Sequence, residues 1–143
     1  MIPISDNGIS KVWRDGLWVY KQQPAFLTTN EEWCLENLYP YGCVPWGKRI
    51  AIELLQIQYL PPETPEISLD EMLAQADQIL AALKETGIRH GDATDKNLVI
   101  SRDKLYLIDF AESRLASDPR ADKRTEGDQY WLHRSVRKVY GYS

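Results

Sequence analysis

The sequence predicts an α+β fold: a small antiparallel sheet with one helix, then a helical half that carries a short β-hairpin. Three observations predict it. Residues 11–21, KVWRDGLWVYK, read as two strands about Asp15-Gly16, a dipeptide suited to a tight hairpin turn. Residues 68–86, SLDEMLAQADQILAALKET, repeat apolar side chains at three and four, the period of an amphipathic helix. Residues 98–108, LVISRDKLYLI, are two apolar runs joined by Ser101-Arg102-Asp103-Lys104, a second hairpin.

The elements follow in chain order. A two-residue loop in the first hairpin pairs Arg14 with Leu17, Trp13 with Trp18 and Val12 with Val19. Strand alternation then sets Leu17, Val19 and Lys21 on one face. TTNEEWCLENLYPYG reads as a helix capped by Thr29 or Asn30, with glutamates in its first turn and Pro40 and Gly42 at its end. Leu35 and Leu38 face a core; Glu31, Glu32 and Glu36 are candidate outward charges. RIAIELLQIQYL, 49–60, reads as one buried strand with Ile50 and Ile52 inside, preceded by a turn at Trp46-Gly47-Lys48. PPETPEI, 61–67, is an extended connector and the expected boundary between two lobes.

The long helix has its own signals. Ser68 and Glu71 form a capping box, the stripe Leu69, Met72, Leu73, Ala76, Ile79, Leu80 and Leu83 faces a core, and Gly87 stops it. In the tail, Thr125 to Asp128 can open a last helix with Leu132, Val136 and Val139 inward. His133, Arg134, Arg137 and Lys138 form its basic face, either solvated surface or a contact for RNA, lipid phosphate or an acidic partner.

Composition bounds the function. With 143 residues, 43% hydrophobic and 27% charged, the chain suits one globular domain rather than a disordered or fibrous one. A net charge of −4 excludes a whole-protein basic footprint for nucleic acid. Cys34 and Cys43 lack zinc or thioredoxin spacing and are expected to be reduced, partly buried thiols. No stretch has the length of a membrane span and no signal peptide opens the chain, so a cytoplasmic location is expected.

The chemistry concentrates in IRHGDATDKNLVI, 88–100. Asp92 and Asn97 precede the first strand of the second hairpin, and Asp109 ends the second. A hairpin brings its outer ends together, so the three side chains converge. Mg²⁺ takes oxygen ligands, often one or two protein groups plus nucleotide phosphates, and Asn97 and Asp109 could supply them. Asp92 is a carboxylate able to orient an incoming hydroxyl and accept its proton. The alternative is a polar connector with Asp92 and Asn97 as turn residues.

HGDATDKNLVI followed by LIDFAESR resembles the catalytic loop and metal-binding motif of the protein-kinase-like superfamily: His-x-Asp, four residues, Asn, a hairpin, then Asp-Phe-Gly. HGD in place of HRD resembles the atypical and small-molecule branches, among them the aminoglycoside, choline and lipopolysaccharide core kinases. It is most similar to the small kinase of the KEOPS tRNA-modification complex, through Thr94. The resemblance spans residues 8–135. It implies a truncated two-lobed kinase-like fold in a single domain, with an N-lobe at 1–60, a hinge or linker at 61–67 and a reduced C-lobe at 68–143.

The resemblance also implies site residues. Lys21 would hold the ATP phosphates, paired with Glu31, or with Glu32 as runner-up. Gly8, Val12, Val19, Gln58, Tyr59 and Leu60 would border the nucleotide. Asn97 and Asp109 would hold Mg²⁺, and Asp92 would act on the acceptor. His90 would pack under the metal loop, Lys96 could touch phosphate, and Asp128 in DKRTEGDQYWLHRS would brace the catalytic loop. The implied activity is an ATP- and Mg²⁺-dependent kinase acting on a protein Ser/Thr or a small-molecule hydroxyl. The alternative is a nucleotide-binding pseudokinase or an ATPase serving as a partner-binding module.

The departures from the pattern bear on that choice. Gly8 is the one glycine in SDNGISKV, Ala111 replaces the glycine of the metal motif, and only residues 110–143 follow Asp109. A C-lobe this short either stands alone or is completed by a protein partner or a homo-oligomer.

Overall fold

The computed structural model describes residues 2–6, 8–115, 117–118 and 127–142. Five strands, β1 (Ile2–Asp6), β2 (Lys11–Asp15), β3 (Trp18–Gln22), β4 (Gly47–Ala51) and β5 (Leu54–Gln58), form one antiparallel sheet in the order β1-β2-β3-β5-β4. β1 lies upstream of every strand read from the sequence.

The first hairpin turns at Gly16-Leu17, with Asp15 opposite Trp18, Arg14 opposite Val19 and Val12 opposite Lys21. The register therefore differs by two residues from the expected one. Gly16 takes φ +62°, which glycine reaches at no steric cost, and this moves the turn one residue on. Leu17 becomes a turn residue and is exposed. A shift of two keeps the faces, so Val12, Val19 and Lys21 still share one.

Residues 49–60 are not one strand. Ile52-Glu53 turns the chain between β4 and β5, and Ile50 and Ile52 are 47% and 72% exposed. Gly47 and Lys48 belong to β4 rather than to a turn. Within this hairpin it is Leu55 that is fully buried.

Helix α1 (Ala25–Leu38) starts earlier than its side chains suggest, with Pro24 at the N-cap and no side-chain cap. Leu27 and Thr28 donate their N–H groups to the Pro24 carbonyl. Thr29, Asn30 and the glutamates are thus inside the helix, not in its first turn, and their polar atoms serve tertiary contacts. Leu35 and Leu38 are buried as expected, each contributing about 1.5–3 kcal/mol by removal from water. The helix packs closely on β4: a Cβ on Gly47 would meet Leu35 Cδ1 at 2.6 Å.

Helix α2 (Leu69–Thr86) forms as expected. Ser68 accepts from the Glu71 N–H, and Gly87 ends the helix at φ +71°. Two-residue strands β6 (Ile88–Arg89) and β9 (Arg114–Leu115) pair with each other. Between them lies the hairpin of β7 (Leu98–Ser101) and β8 (Lys104–Leu107), whose turn residues Arg102 and Asp103 both have positive φ, 52° and 60°. This is the type I′ pattern. Asp103 Oδ1 accepts from the N–H groups of Glu66 and Ile67, which ties the connector to the hairpin.

Helix α3 (Gly127–Val139) buries Leu132 and Val136 completely, whereas Val139 is 47% exposed because it lies at the last residue of the helix. Thr125, Glu126 and the Asp122-Lys123 pair fall outside the described residues. One apolar cluster runs from Cys34, Leu35 and Leu38 of α1 through α2 and the second hairpin to Leu132 and Val136 of α3.

Cys34 and Cys43 are free and buried within that cluster. Burial pushes the Cys34 thiol up to about 12 and the Cys43 thiol up to about 11. Since the thiolate is the nucleophile, both are expected to resist an aromatic disulfide reagent in the native protein and to react at once in denaturant. Stoichiometric labelling of the native protein would contradict this burial.

Candidate active site

Lys21 sits near the end of β3 on the face turned toward the second half of the chain. Its Nζ donates to Glu31 Oε1 on α1 at 2.9 Å and to Asp109 Oδ1, just past β8, at 2.8 Å. Burial opposes the charge on Lys21, but the carboxylates of Glu31 and Asp109 outweigh it and hold its pKa above the usual lysine value. Burial likewise opposes the Asp109 charge, and Lys21 overrides it, so the Asp109 carboxyl lies below the usual range.

Glu31 is 1% exposed and fully engaged. Oε1 also accepts from Gln23 Nε2 at 3.0 Å, and Oε2 accepts from the Phe110 N–H at 2.9 Å. Glu32 points elsewhere and accepts from the Arg49 N–H. Of the two candidate glutamates, the lysine therefore meets Glu31.

The loop at 88–100 is held from several sides. Asn97 Nδ2 donates to the Asp92 carbonyl at 2.9 Å and to Asp92 Oδ2 at 3.1 Å. The Ile108 N–H donates to the Asn97 carbonyl, which fixes Asp109 one residue beyond. His90 is buried against Phe110, with ring centroids 4.8 Å apart. Its Nδ1 accepts from the Asp92 N–H, which assigns the proton to Nε2 facing the Ile108 carbonyl at 2.7 Å. Both ring nitrogens are spent on backbone, so His90 shapes the loop. Asp128 of α3 accepts from the N–H groups of His90 and Gly91 at 2.8 and 2.9 Å.

The donor set fits a hard cation. With Nδ2 spent on Asp92, Asn97 has Oδ1 left to offer. The Asp109 side chain is 49% exposed, so its carboxylate is reachable. Among the described residues no three His, Cys, Asp or Glu side chains gather. A cation here would complete its shell with phosphate oxygens and water, as Mg²⁺ does. Asp109 takes φ +63°, a conformation that L-residues rarely adopt and that persists where the surroundings enforce it.

The nucleotide-bordering candidates are less unified. Val12 and Val19 share the Lys21 face and are half-buried. Gly8 lies at a cleft of about 390 Å³ that also reaches Gln22, the last residue of β3, and Gln23 just past it. Gln58 stands opposite Trp18, on the other face of the sheet from Lys21. Gln58, Tyr59 and Leu60 line a cleft of about 570 Å³ with Trp18, Trp46 and Tyr106. The N–H groups of Gln58 and Tyr59 are spent on the carbonyls of Trp46 and Leu17.

Lys96 is exposed. On the basic face of α3, His133 meets Asp77 at 2.7 Å and Lys138 meets Asp95 at 3.2 Å.

Three contributors were not legible in the sequence. Gln23 and Asn30 carry no motif, and Ile57 shares the Lys21 face beside Val19 inside a run read only as apolar. The spacing Lys21-x-Gln23 was the single local signal for the first.

An antiparallel sheet with one helix, set against a helical half whose hairpin presents an aspartate to the sheet's lysine, is a truncated fold of the protein-kinase-like class. Residues 44–122 match the Phosphotransferase enzyme family, APH, and the chain belongs to that family. It is 41% identical over 59 residues to a probable bifunctional tRNA threonylcarbamoyladenosine biosynthesis protein of Methanosarcina acetivorans. That match covers 41% of this chain and 10% of the relative.

Among solved structures, the Rio2 kinase from Chaetomium thermophilum superposes with a TM-score of 0.73 at 14% identity, covering all of this chain and 59% of that one. WbdD superposes with a TM-score of 0.57 at 20% identity, covering 78% of this chain and 32% of that one. The chain thus spans only part of each of these three proteins.

Proposed function

We propose that this protein is an ATP- and Mg²⁺-dependent phosphotransferase that moves the γ-phosphate to an alcohol, a protein Ser/Thr or a small-molecule hydroxyl. One observation carries the reading: Lys21 grips Glu31 and Asp109 together, joining residues 88 positions apart in sequence. Phosphoryl transfer asks chiefly for positioning and charge neutralisation.

In this reading Lys21, steered by Glu31, meets the α- and β-phosphates. Val12 and Val19 line the base, with Gly8 near the phosphates; Gln58, Tyr59 and Leu60, on the cleft with Trp18 and Trp46, lead into the hinge at 61–67. Asn97 and Asp109 hold Mg²⁺, which neutralises phosphate charge when bound. Asp92, steadied by the Asn97 amide, orients the acceptor hydroxyl and takes its proton. The domain division at 61–67, a cytoplasmic location and a protein partner or second copy of the chain belong to the same reading. No helix among the described residues is long and apolar enough to cross a membrane.

The test is a melting curve with ATP, with and without Mg²⁺, beside Asp109→Asn. A ligand at about 100 times its Kd adds roughly 2.7 kcal/mol. The expected result is a Mg²⁺-dependent rise in Tm that the variant loses. The same ATP shift with and without Mg²⁺ in both proteins would remove the metal from the reading, and no shift in either would remove the nucleotide.

A further inference from the structure

Asn30 lies on α1 one residue before Glu31, and its side chain spans to the segment after Asp109. Its Nδ2 is 3.2 Å from the Phe110 carbonyl, 2.9 Å from that of Ala111 and 2.7 Å from that of Ser113. Three carbonyl oxygens converging on one point repel one another unless a donor sits among them. The two N–H bonds of one carboxamide supply it. Glu31 meanwhile takes the Phe110 N–H, so adjacent residues of α1 hold the donor and acceptor sides of the same short turn. The Ser113 N–H closes that turn on the Phe110 carbonyl at 3.1 Å.

We propose that Asn30 is a positioning residue for the metal site, clamping the Phe110–Ser113 backbone so that Asp109 stays in its left-handed, cation-facing conformation. The proposal rests on the reading of Asp109 as a Mg²⁺ ligand. Ala111, at 6% exposure, acts in the same direction, since alanine has less backbone freedom than the glycine the motif usually carries. Hydrogen bonding and restricted dihedrals then bear on the same residues. Removing the amide leaves three carbonyls without their shared donor, and the segment is free to rotate the Asp109 carboxylate away. Groups that orient a ligand from behind typically change metal affinity about 10–100-fold.

The test uses the whole chain. Mg²⁺ is titrated at fixed ATP while nucleotide binding is followed calorimetrically, beside ATP binding in chelator. Asn30→Ala and the isosteric Asn30→Asp are both expected to raise the half-saturating Mg²⁺ concentration about tenfold or more, with Mg²⁺-free ATP binding at the wild-type level. Asn30→Ser, which keeps one small donor, is read in the same way wherever Asn30→Ala does not stay folded.

A wild-type Mg²⁺ midpoint in these variants, with the dependence lost in Asp109→Asn, overturns the Asn30 proposal alone. An equal fall in Mg²⁺-free ATP binding assigns Asn30 to general stability and also overturns it. Absence of Mg²⁺ dependence in the wild type overturns the metal reading and the proposal together.

Discussion

Glu31→Ala is expected to destabilise the protein by about 3–5 kcal/mol, the usual cost of removing one partner from a buried, hydrogen-bonded ion pair. The carboxylate is buried and satisfies three donors: Lys21 Nζ, Gln23 Nε2 and the Phe110 N–H. Its loss strands two of them out of water and leaves Lys21 with Asp109 alone. Glu32→Ala is the control. Its carboxylate is half-buried and accepts from the Arg49 N–H, so a loss of about 1 kcal/mol is expected. Urea unfolding of the two variants measures both. Equal midpoints would mean that the Lys21 cluster does not hold α1 to the second half of the chain.

Asp92→Ala is expected to lower turnover of ATP about 10²–10⁴-fold, the range for loss of a positioned acid–base group, while nucleotide binding is unchanged. The Asp92 carboxylate is exposed, and its structural tie is the Asn97 amide, which also holds the Asp92 carbonyl. The backbone half of that tie survives the substitution. A coupled assay for ADP beside a nucleotide titration separates the two effects. Unchanged turnover would take Asp92 out of the chemistry. A parallel loss of binding would make it a structural residue.

What the sequence made legible depended on whether the signal was local. Helix α2 carried its cap, stripe and stop within twenty residues, and it forms as read. The second hairpin carried apolar runs about a polar turn, and that fixed Asp92, Asn97 and Asp109 near one another. The start of α1 was misread because Thr29 and Asn30 are good capping residues. In the fold Asn30 reaches across to carbonyls of residues 110–113, and Thr29 Oγ1 accepts from Arg49. A side chain spent on a distant partner looks the same in sequence as one spent on its own helix end. Residues 49–60 held no glycine or proline to mark the turn at Ile52-Glu53, so pairing within the sheet, not local preference, divides that run. The lysine and its glutamate were placed through the family pattern, and Glu31 was preferred to Glu32 because Leu35, four residues on, faces the core.

The two N–H groups that Asp128 accepts belong to the loop that carries Asp92. Released from that carboxylate, both would need water or another acceptor, so the docking of α3 and the shape of the loop share one equilibrium. Anything that favours the ordered loop also tightens α3, by the same free energy. Anything that grips α3 from outside stiffens the loop in return. Hydrogen exchange at His90 and Gly91 would therefore report on the far helix, slowing or quickening with it.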